Sequence, residues 1–326
     1  MVLFEEWRNL VTLALAAGLD YLIGDPWGWL HPVQVMGWEI SRLTRLSLKT
    51  SSPGWQRRLA GIGLGTVIII GSGFTAWALV QTTAHIHADF GTATAVVMLA
   101  SCFAGRSLRL AALDVLKPLE AGDIDEARSK LSLYVGRDTE KLTEAEILRA
   151  VLETVAENTT DGVTAPLFYA AVGLLIPGLG SAPVAIAYKA ASTLDSTIGY
   201  RQDPYTDLGW FSARLEDVIT WLPCRLTVLT IALLARKPRQ VWRLCRRDAV
   251  KDPSPNSGWS ECAFAAALAV QLGGVNTYGG VVKHKPLLGE PHSAITPQKV
   301  NQALQLTRTC FLLWLASILA VALIYN

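Results

Sequence analysis

The residues able to do chemistry in this 326-residue chain gather in four polar clusters, each set against an apolar segment, where a solvated surface explains charge least well. In the cluster ending in ENTTDG, Glu153 and Glu157 stand four apart on one helix face, with Asp161 just ahead of a Gly162 expected to end the helix. Like charges at that spacing repel by about 0.2–0.5 kcal/mol, so either the pair is solvated or a cation or basic partner compensates it. Magnesium is the natural ion, because it takes one or two carboxylates and completes its shell with water and substrate phosphates.

The polar run 188–217 lies between two apolar segments and is the densest in charge. Lys189, Arg201 and Arg214 can grip phosphate oxygens, and Asp195, Asp203, Asp207, Glu216 and Asp217 can hold a hard cation. An ordinary membrane-protein loop has a similar composition, but Lys189 and Asp195 stand so close to apolar residues 165–187 that partial burial is expected. Near the N-terminus, Asp20 is followed by GDPWGWLHP, in which Asp25 and His31 each precede a proline. A rigid turn would hold a carboxylate and an imidazole there, or simply an interfacial aromatic belt of Trp27, Trp29 and Trp38. The last cluster runs from Arg246 to Gly280 and embeds Asn256, Trp259, Glu261, Asn276 and Tyr278 among prolines and glycines. It offers backbone amides and aromatic faces to a large ligand, or plain turn chemistry.

P-loop, zincin and hydrolase-elbow motifs are missing from the chain. His85 and His87 form an H-x-H with no third ligand nearby, and His284 and His292 read as surface residues. Cys102, Cys224, Cys245, Cys262 and Cys310 are odd in number and isolated, so reduced, inert thiols are expected rather than a disulfide framework or a zinc site.

The elements that must position these clusters are membrane helices. Hydrophobic residues make up 51 % of the chain and charged residues 17 %, against roughly 25 % charged in soluble domains. Mean hydropathy is +0.32. With 29 Lys+Arg against 27 Asp+Glu, the net charge of +2 leaves no basic excess for nucleic acid. Disorder is excluded, and the expectation is an all-α polytopic membrane protein, residues 1–326 forming a single integral-membrane domain. Residues 59–80 carry no charge, and Gly61, Gly63, Gly65, Gly71 and Gly73 predict close helix packing rather than a phosphate loop. With 10–23, 90–104, 165–187, 218–235 and 311–325 this makes roughly five or six membrane segments. Pro177, Gly178, Gly180 and Pro183 interrupt one, and Pro223 with Arg225 another, which predicts broken or re-entrant spans. Glu5, Glu6 and Arg8 ahead of the first apolar run, and Asp20 inside it, do not make a cleavable leader, so this segment is expected to be retained.

Residues 105–160 are the most soluble part and read as an amphipathic helical cytoplasmic insertion. A helical hairpin is predicted over 108–120 and 124–135, followed by a helix opened by a Thr143/Glu146 capping box with Ile147, Leu148, Val151, Leu152 and Val155 on one face. No period-2 strand pattern and no internal repeat is evident. Basic residues cluster at Arg42, Arg45, Lys49, Arg57 and Arg58, and again at Arg236, Lys237, Arg239, Arg243, Arg246, Arg247 and Lys251, placing both connections in the cytoplasm. Strict alternation would then leave 188–217 outside.

Taken together and in order, the clusters resemble the CbiB/CobD membrane proteins of cobalamin biosynthesis, the adenosylcobinamide-phosphate synthases. The resemblance covers nearly the whole chain: the early GDP and HP, Gly136-Arg137, ENTTDG, TLDS, GY, DLGW, RLEDV, SPN, GW, LGG and YGG. Each string alone is weak; the ordered set is specific. Departures are Ser192 where the family often has Asn, Glu216 where Asp is usual, Thr220 where Asn is common and Ser257 where Ala follows SPN. Thr220 puts an amide role at its position in doubt.

The resemblance implies a multi-pass enzyme of the cell (inner) membrane with its active site on the cytoplasmic side. It would join the free propionate carboxyl of adenosylcobyric acid to aminopropanol, commonly as its phosphate, with Mg2+ and ATP, the corrinoid being substrate rather than prosthetic group. Under that resemblance Glu157, Asp161 and Asp195 would hold magnesium, and Lys189, Arg201 and Arg214 phosphate oxygens, with Asn158 and Asn256 as further substrate contacts. Trp210, Trp259 and Tyr278 would line the corrin site, and Asp217, Asp25 or His31 would take the amine's proton. Partners would be these small molecules and membrane lipid, with no nucleic acid, and a homo-oligomer is compatible. Because ATP and both substrates are cytoplasmic, all four clusters should face that side, which favours a broken or re-entrant segment. The rival class is a membrane regulator or a corrinoid or small-metabolite transporter. Retention of Glu157, Asp161, Asp195 and Asp217, and the lack of paired halves, argue for the enzyme.

Overall fold

A computed structural model describes residues 2–25, 28, 31–48 and 53–325; Trp27, Trp29 and Lys49, named above, lie outside the described residues. The helices are α1 (Val2–Leu22), α2 (Pro32–Leu48), α3 (Gly54–Ile86), α4 (Ala88–Ala100), α5 (Gly105–Glu120), α6 (Ile124–Leu131), α7 (Glu144–Asn158), α8 (Ala165–Leu174), α9 (Ser181–Ile198), α10 (Tyr205–Leu208), α11 (Trp210–Ile219), α12 (Trp221–Leu234), α13 (Pro238–Asp248), α14 (Ser257–Leu268) and α15 (Pro297–Tyr325). Two antiparallel strands, β1 (Gln271–Tyr278) and β2 (Val281–Gly289), separate the last two helices.

The all-α polytopic class holds. Among the described residues three stretches are long and apolar enough to cross a bilayer: Gly54–Ile86, Ala88–Glu120 and Pro297–Ile324. Trp210–Ile219 and Trp221–Leu234 pass as a bent pair, which makes up to four. The other expected segments form helices that do not qualify singly: α1 carries Arg8 and Asp20, and residues 165–187 are divided between α8 and α9 by the turn at 175–180, which holds Pro177, Gly178 and Gly180, while Pro183 sits in the first turn of α9. In the bent pair the break falls at Thr220, not at Pro223, which sits in the first turn of α12, where its missing N–H is harmless.

By contact the chain divides into two compact units: Met1–Ala104 with Ala165–Ile219 and Trp314–Asn326, and Gly105–Thr164 with Thr220–Leu313. Residues 105–160, expected as an insertion in one domain, therefore share a unit with the later segment. In the first unit α3 is the central packing surface, and its glycines explain how. A side chain at Gly61 would run into the carbonyl of Leu208, one at Gly65 into the Phe211 ring, and one at Gly73 would meet Ala187 and the Pro183 carbonyl at 3.2 Å; Gly63 and Gly71 face open space.

In the second unit the α5–α6 hairpin and the capping box form as predicted, with Thr143 and Glu146 exchanging both bonds. The five thiols are free and buried. Two expectations fail. Gly162 does not end a helix: α7 passes through a π-helical turn, Thr159–Thr164, straight into α8. Pro166 in the first turn of α8 cannot supply a backbone donor, and a widened turn accommodates it. The expected absence of strands is also corrected by the β1–β2 hairpin. Gly279 and Gly280, both at positive φ, make the two-residue turn that suits a hairpin, and their N–H groups each donate to an Asp138 carboxylate oxygen at 2.8 Å. Gly273, Gly274 and Pro286 within the strands, and the irregularity between Leu272 and Gly274, hide the period-2 pattern.

Candidate functional site

Within the second unit, α7, α14 and the hairpin bring together a buried set of charges. Glu153 and Glu157 do share a helix face, as their spacing required, and Glu153 is 2 % exposed. Arg137, immediately before the segment leading into α7, pairs with the Glu153 carboxylate, whose other oxygen accepts the Gly273 N–H at 2.9 Å. Arg137 also donates to Asn276 Oδ1 at 2.9 Å. Arg149 donates to that oxygen at 3.1 Å, to the Val275 carbonyl at 2.9 Å and to the Gly273 carbonyl. Glu261, wholly buried on α14, holds the Lys285 ammonium of β2 at 2.9 Å.

The compensation that the glutamate spacing demanded is thus supplied by the protein's own cations. Burial pushes the Glu157 carboxyl up; Asp252 and Glu153 add to the rise, while Lys285 and Arg137 oppose it. Burial likewise carries Glu261 up to about 8, with Glu153 and Glu157 adding to it against Lys285. Burial would lower the Lys285 ammonium, but Glu261, Glu157 and Glu153 outweigh it and raise it. Lys285 and Arg149 are members of this site that sequence reasoning missed, and for Lys285 a signal existed. The signal was the YGGV sequence at 278–281, a two-glycine turn between residues able to pair as strands, which sets Lys285 opposite Gly274.

Asp161 sits in the π-helical turn, whose hydroxyls tie it into its surroundings: Thr159 to Thr307 at 2.7 Å, Thr160 to Ser260 at 3.0 Å and Thr164 to Thr227 at 2.6 Å. Asn158 donates back to the Thr154 carbonyl at 2.9 Å, so part of its amide is used within its own helix. Asn256 is buried ahead of α14, its carbonyl accepting from the Trp259 N–H. One face of Trp259 is covered by Arg225, 4.1 Å from the ring centroid, and Trp242 packs edge-on at 5.3 Å; Tyr278 carries Lys283 at 5.3 Å.

The first unit holds the other expected residues. Asp25 and His31 come together, with His31 Nε2 3.0 Å from Asp25 Oδ1, while Nδ1 accepts the Val33 N–H. A ring nitrogen that accepts a backbone N–H carries no proton, so the neutral imidazole holds its proton on Nε2, the nitrogen nearer Asp25. Arg214 lies 3.6 Å from Asp217, and Arg201 also bears electrostatically on it. Lys189 and Asp195 are half-buried on α9, and Gly199 is required where the Asp195 side chain folds over the helix end. Trp210 lies under Arg58 at 5.6 Å, and Arg58 in turn binds Asp207 at 2.9 Å.

Among the described residues no group of three or more His, Cys, Asp and Glu side chains is arranged to hold a metal ion. Of the expected set, Glu157 is drawn into the cluster with Lys285 and Arg137, Asp161 stands in the π-helical turn, and Asp195 is on α9. What remains compatible is an ion that brings most of its shell as phosphate and water.

Comparison with known proteins places these residues in a family context. Residues 13–307 match the family described as CobD/Cbib protein. The chain is 54 % identical to the cobalamin biosynthesis protein CobD of Synechocystis sp., over 93 % of this chain and 89 % of that one. It is 41 % identical to the cobalamin biosynthesis protein CbiB of Salmonella typhimurium, covering 97 % and 96 %, and 40 % identical to CobD of Halalkalibacterium halodurans, covering 91 % of each. No solved structure matches the fold significantly.

Proposed function

This chain belongs to the CobD/CbiB family and acts in cobalamin biosynthesis as a membrane protein, and from that premise we propose that it ligates adenosylcobyric acid to 1-amino-2-propanol or its O-phosphate at the expense of ATP. The observation that supports the reading is the match through residues 13–307, which spans every cluster from Asp25 to Tyr278. The family names speak only of cobalamin biosynthesis; the reaction is our reading of the chemistry.

A carboxylate and an ammonium do not condense at neutral pH. In the proposed sequence a carboxylate oxygen of the corrinoid attacks the γ-phosphorus of ATP, the bond to ADP breaks, and an acyl phosphate forms. The amine lone pair then attacks the acyl carbon, the bond to phosphate breaks, inorganic phosphate leaves, and the ammonium proton passes to a base. Lys189, Arg201 and Arg214 are the cations assigned to phosphate oxygens, easing the meeting of two anions. Magnesium arriving with ATP would neutralise charge between them, with Asp195, on the same helix as Lys189, as the carboxylate proposed for it. For the proton, Asp217 and Asp25 are better placed than His31, because the His31 Nδ1 lone pair already accepts the Val33 amide. His31 then orients Asp25. Placement in the inner membrane with the site on the cytoplasmic side, where ATP is found, belongs to the same proposal.

The test is turnover by detergent-purified protein given adenosylcobyric acid, Mg·ATP and aminopropanol phosphate, following corrinoid mass and ADP together. Coupled product and ADP are expected, with Asp25→Ala and Asp217→Ala each tested for lost turnover in folded protein. Corrinoid binding without product or ADP, with either form of the amine, would move the protein to the regulator or transporter class.

A further inference from the structure

Three polar atoms at or beside the α7–α14–hairpin cluster are closed off from solvent and make no hydrogen bond: Glu261 Oε2, Asp252 Oδ2 and Asn276 Nδ2. Glu261 is 0 % and Asn276 3 % exposed. Folded proteins leave few such groups, and those they leave ask for an explanation. Each has a partner on its other atom: Lys285 holds Glu261 Oε1, the Ser254 N–H meets Asp252 Oδ1, and Arg137 and Arg149 share Asn276 Oδ1. The side chains are therefore fixed, and the free atoms are two acceptors and one donor.

The charges around them are placed by the fold: Glu153 and Glu157 bear on Glu261, Asp252 bears on Glu157, and Arg137, Lys285 and Arg149 stand among them. The set offers no three-ligand geometry for a metal among the described residues. A compact cation with N–H donors fits, above all one that also carries an oxygen for the Asn276 amide. Asn276 pairs across the hairpin with Lys283, and Gly274 with Lys285, so Asn276 and Lys285 sit on the same face of the sheet. Lys285 and Glu157 are both partly exposed, at the solvent side of the cluster.

Resting on the ligation reading, we infer that this cluster is the seat of the amine substrate, a small amino alcohol or its phosphate ester. Its ammonium is received by Glu261 with Glu157 and Asp252, and its oxygen by the Asn276 amide. A phosphate on the alcohol would find the Lys285 ammonium on the same face. These residues bind and orient the amine.

Calorimetric titration of the purified full-length protein with 1-amino-2-propanol O-phosphate, without ATP or corrinoid, tests this, together with the amine KM under turnover. In Glu261→Gln and Asn276→Ala we expect binding at least tenfold weaker and the amine KM raised at least tenfold, with the KM for ATP unchanged. Thermal unfolding monitors the fold, and Glu157→Gln, at a partly exposed position, replaces either variant that does not fold. Folded variants with wild-type amine affinity and amine KM overturn the inference while leaving ligation standing. Amine binding that is lost in the variants, in a wild-type protein that forms neither product nor ADP, keeps the amine site and sinks the ligase reading.

Discussion

Glu153 and Glu261 of the second unit are 2 % and 0 % exposed, and each is gripped by a cation from a distant part of the chain. In the run 188–217 of the first unit the pairs have the opposite character: Arg58 and Asp207 are 53 % and 29 % exposed, and the Arg214 side chain facing Asp217 is largely in solvent. Both regions carry many charges, but only the first has removed them from water. A buried pair becomes costly when one partner is lost, whereas an exposed pair is replaced by solvent, so the two should respond very differently to the same kind of substitution. The buried set is built to hold one arrangement; the exposed set is screened by solvent.

The largest effect should come from Glu153→Gln, which leaves Arg137 buried opposite a neutral amide and should cost about 3–5 kcal/mol. Thermal unfolding in detergent reads this, and a melting temperature equal to wild type would mean that Arg137 finds other compensation. Next, Gly61→Ala, whose new methyl group runs into the Leu208 carbonyl, should cost about 1–3 kcal/mol. Gly63→Ala, which faces open space one turn-fraction away, should be neutral or slightly stabilising, by up to about 1 kcal/mol. Equal losses at the two positions would show that α3 does not pack through one face.

The cluster also sets a pH dependence. Glu261 titrates at about 8 in the fold against an ordinary value of 4.5. Between those values the folded chain keeps a proton that the unfolded chain has released, so stability falls as pH rises through the window, by at most about 1.4 kcal/mol per pH unit from this group. The rise at Glu157 has the same sign. Lys285, raised above 10.5, contributes stability that is fully present below that value and so does not offset the slope. Unfolding measured from pH 5 to 8 should show a flatter slope in Glu261→Gln than in wild type; parallel slopes would place the titrating group elsewhere. The smallest effect belongs to the exposed pair: Arg58→Ala should change stability by no more than about 1 kcal/mol, and a larger loss would erase the contrast between the regions.

Much of the architecture was legible in advance. The apolar run 59–80 gave away α3, the Thr143/Glu146 signature marked the start of α7, and the i, i+4 glutamates announced a need for positive charge. The identity of that charge was hidden, because Arg137 and Lys285 lie 16 and 132 residues from Glu153 in sequence (153 − 137 and 285 − 153), and local periodicity carries no information about such pairings. The hairpin was hidden for a related reason: its glycines and proline break the alternation by which a strand is recognised, while its pairing depends on Asp138 catching the turn from elsewhere in the chain. Gly162 misled because a glycine after a helical run ordinarily marks a helix end, whereas the buried threonine hydroxyls around it carry the chain through a π-helical turn.

Composition, spacing and ordered motifs thus determined the membrane-helical class and the family, since these depend on residues close in sequence and on bulk hydrophobicity. Tertiary structure alone decided which charges neutralise which, that Asp25 and His31 meet, that Glu157 joins a buried cluster, and which buried polar atoms lack a hydrogen-bond partner. Those outcomes turn on distance and desolvation between residues far apart in the chain, which come into being only when it folds.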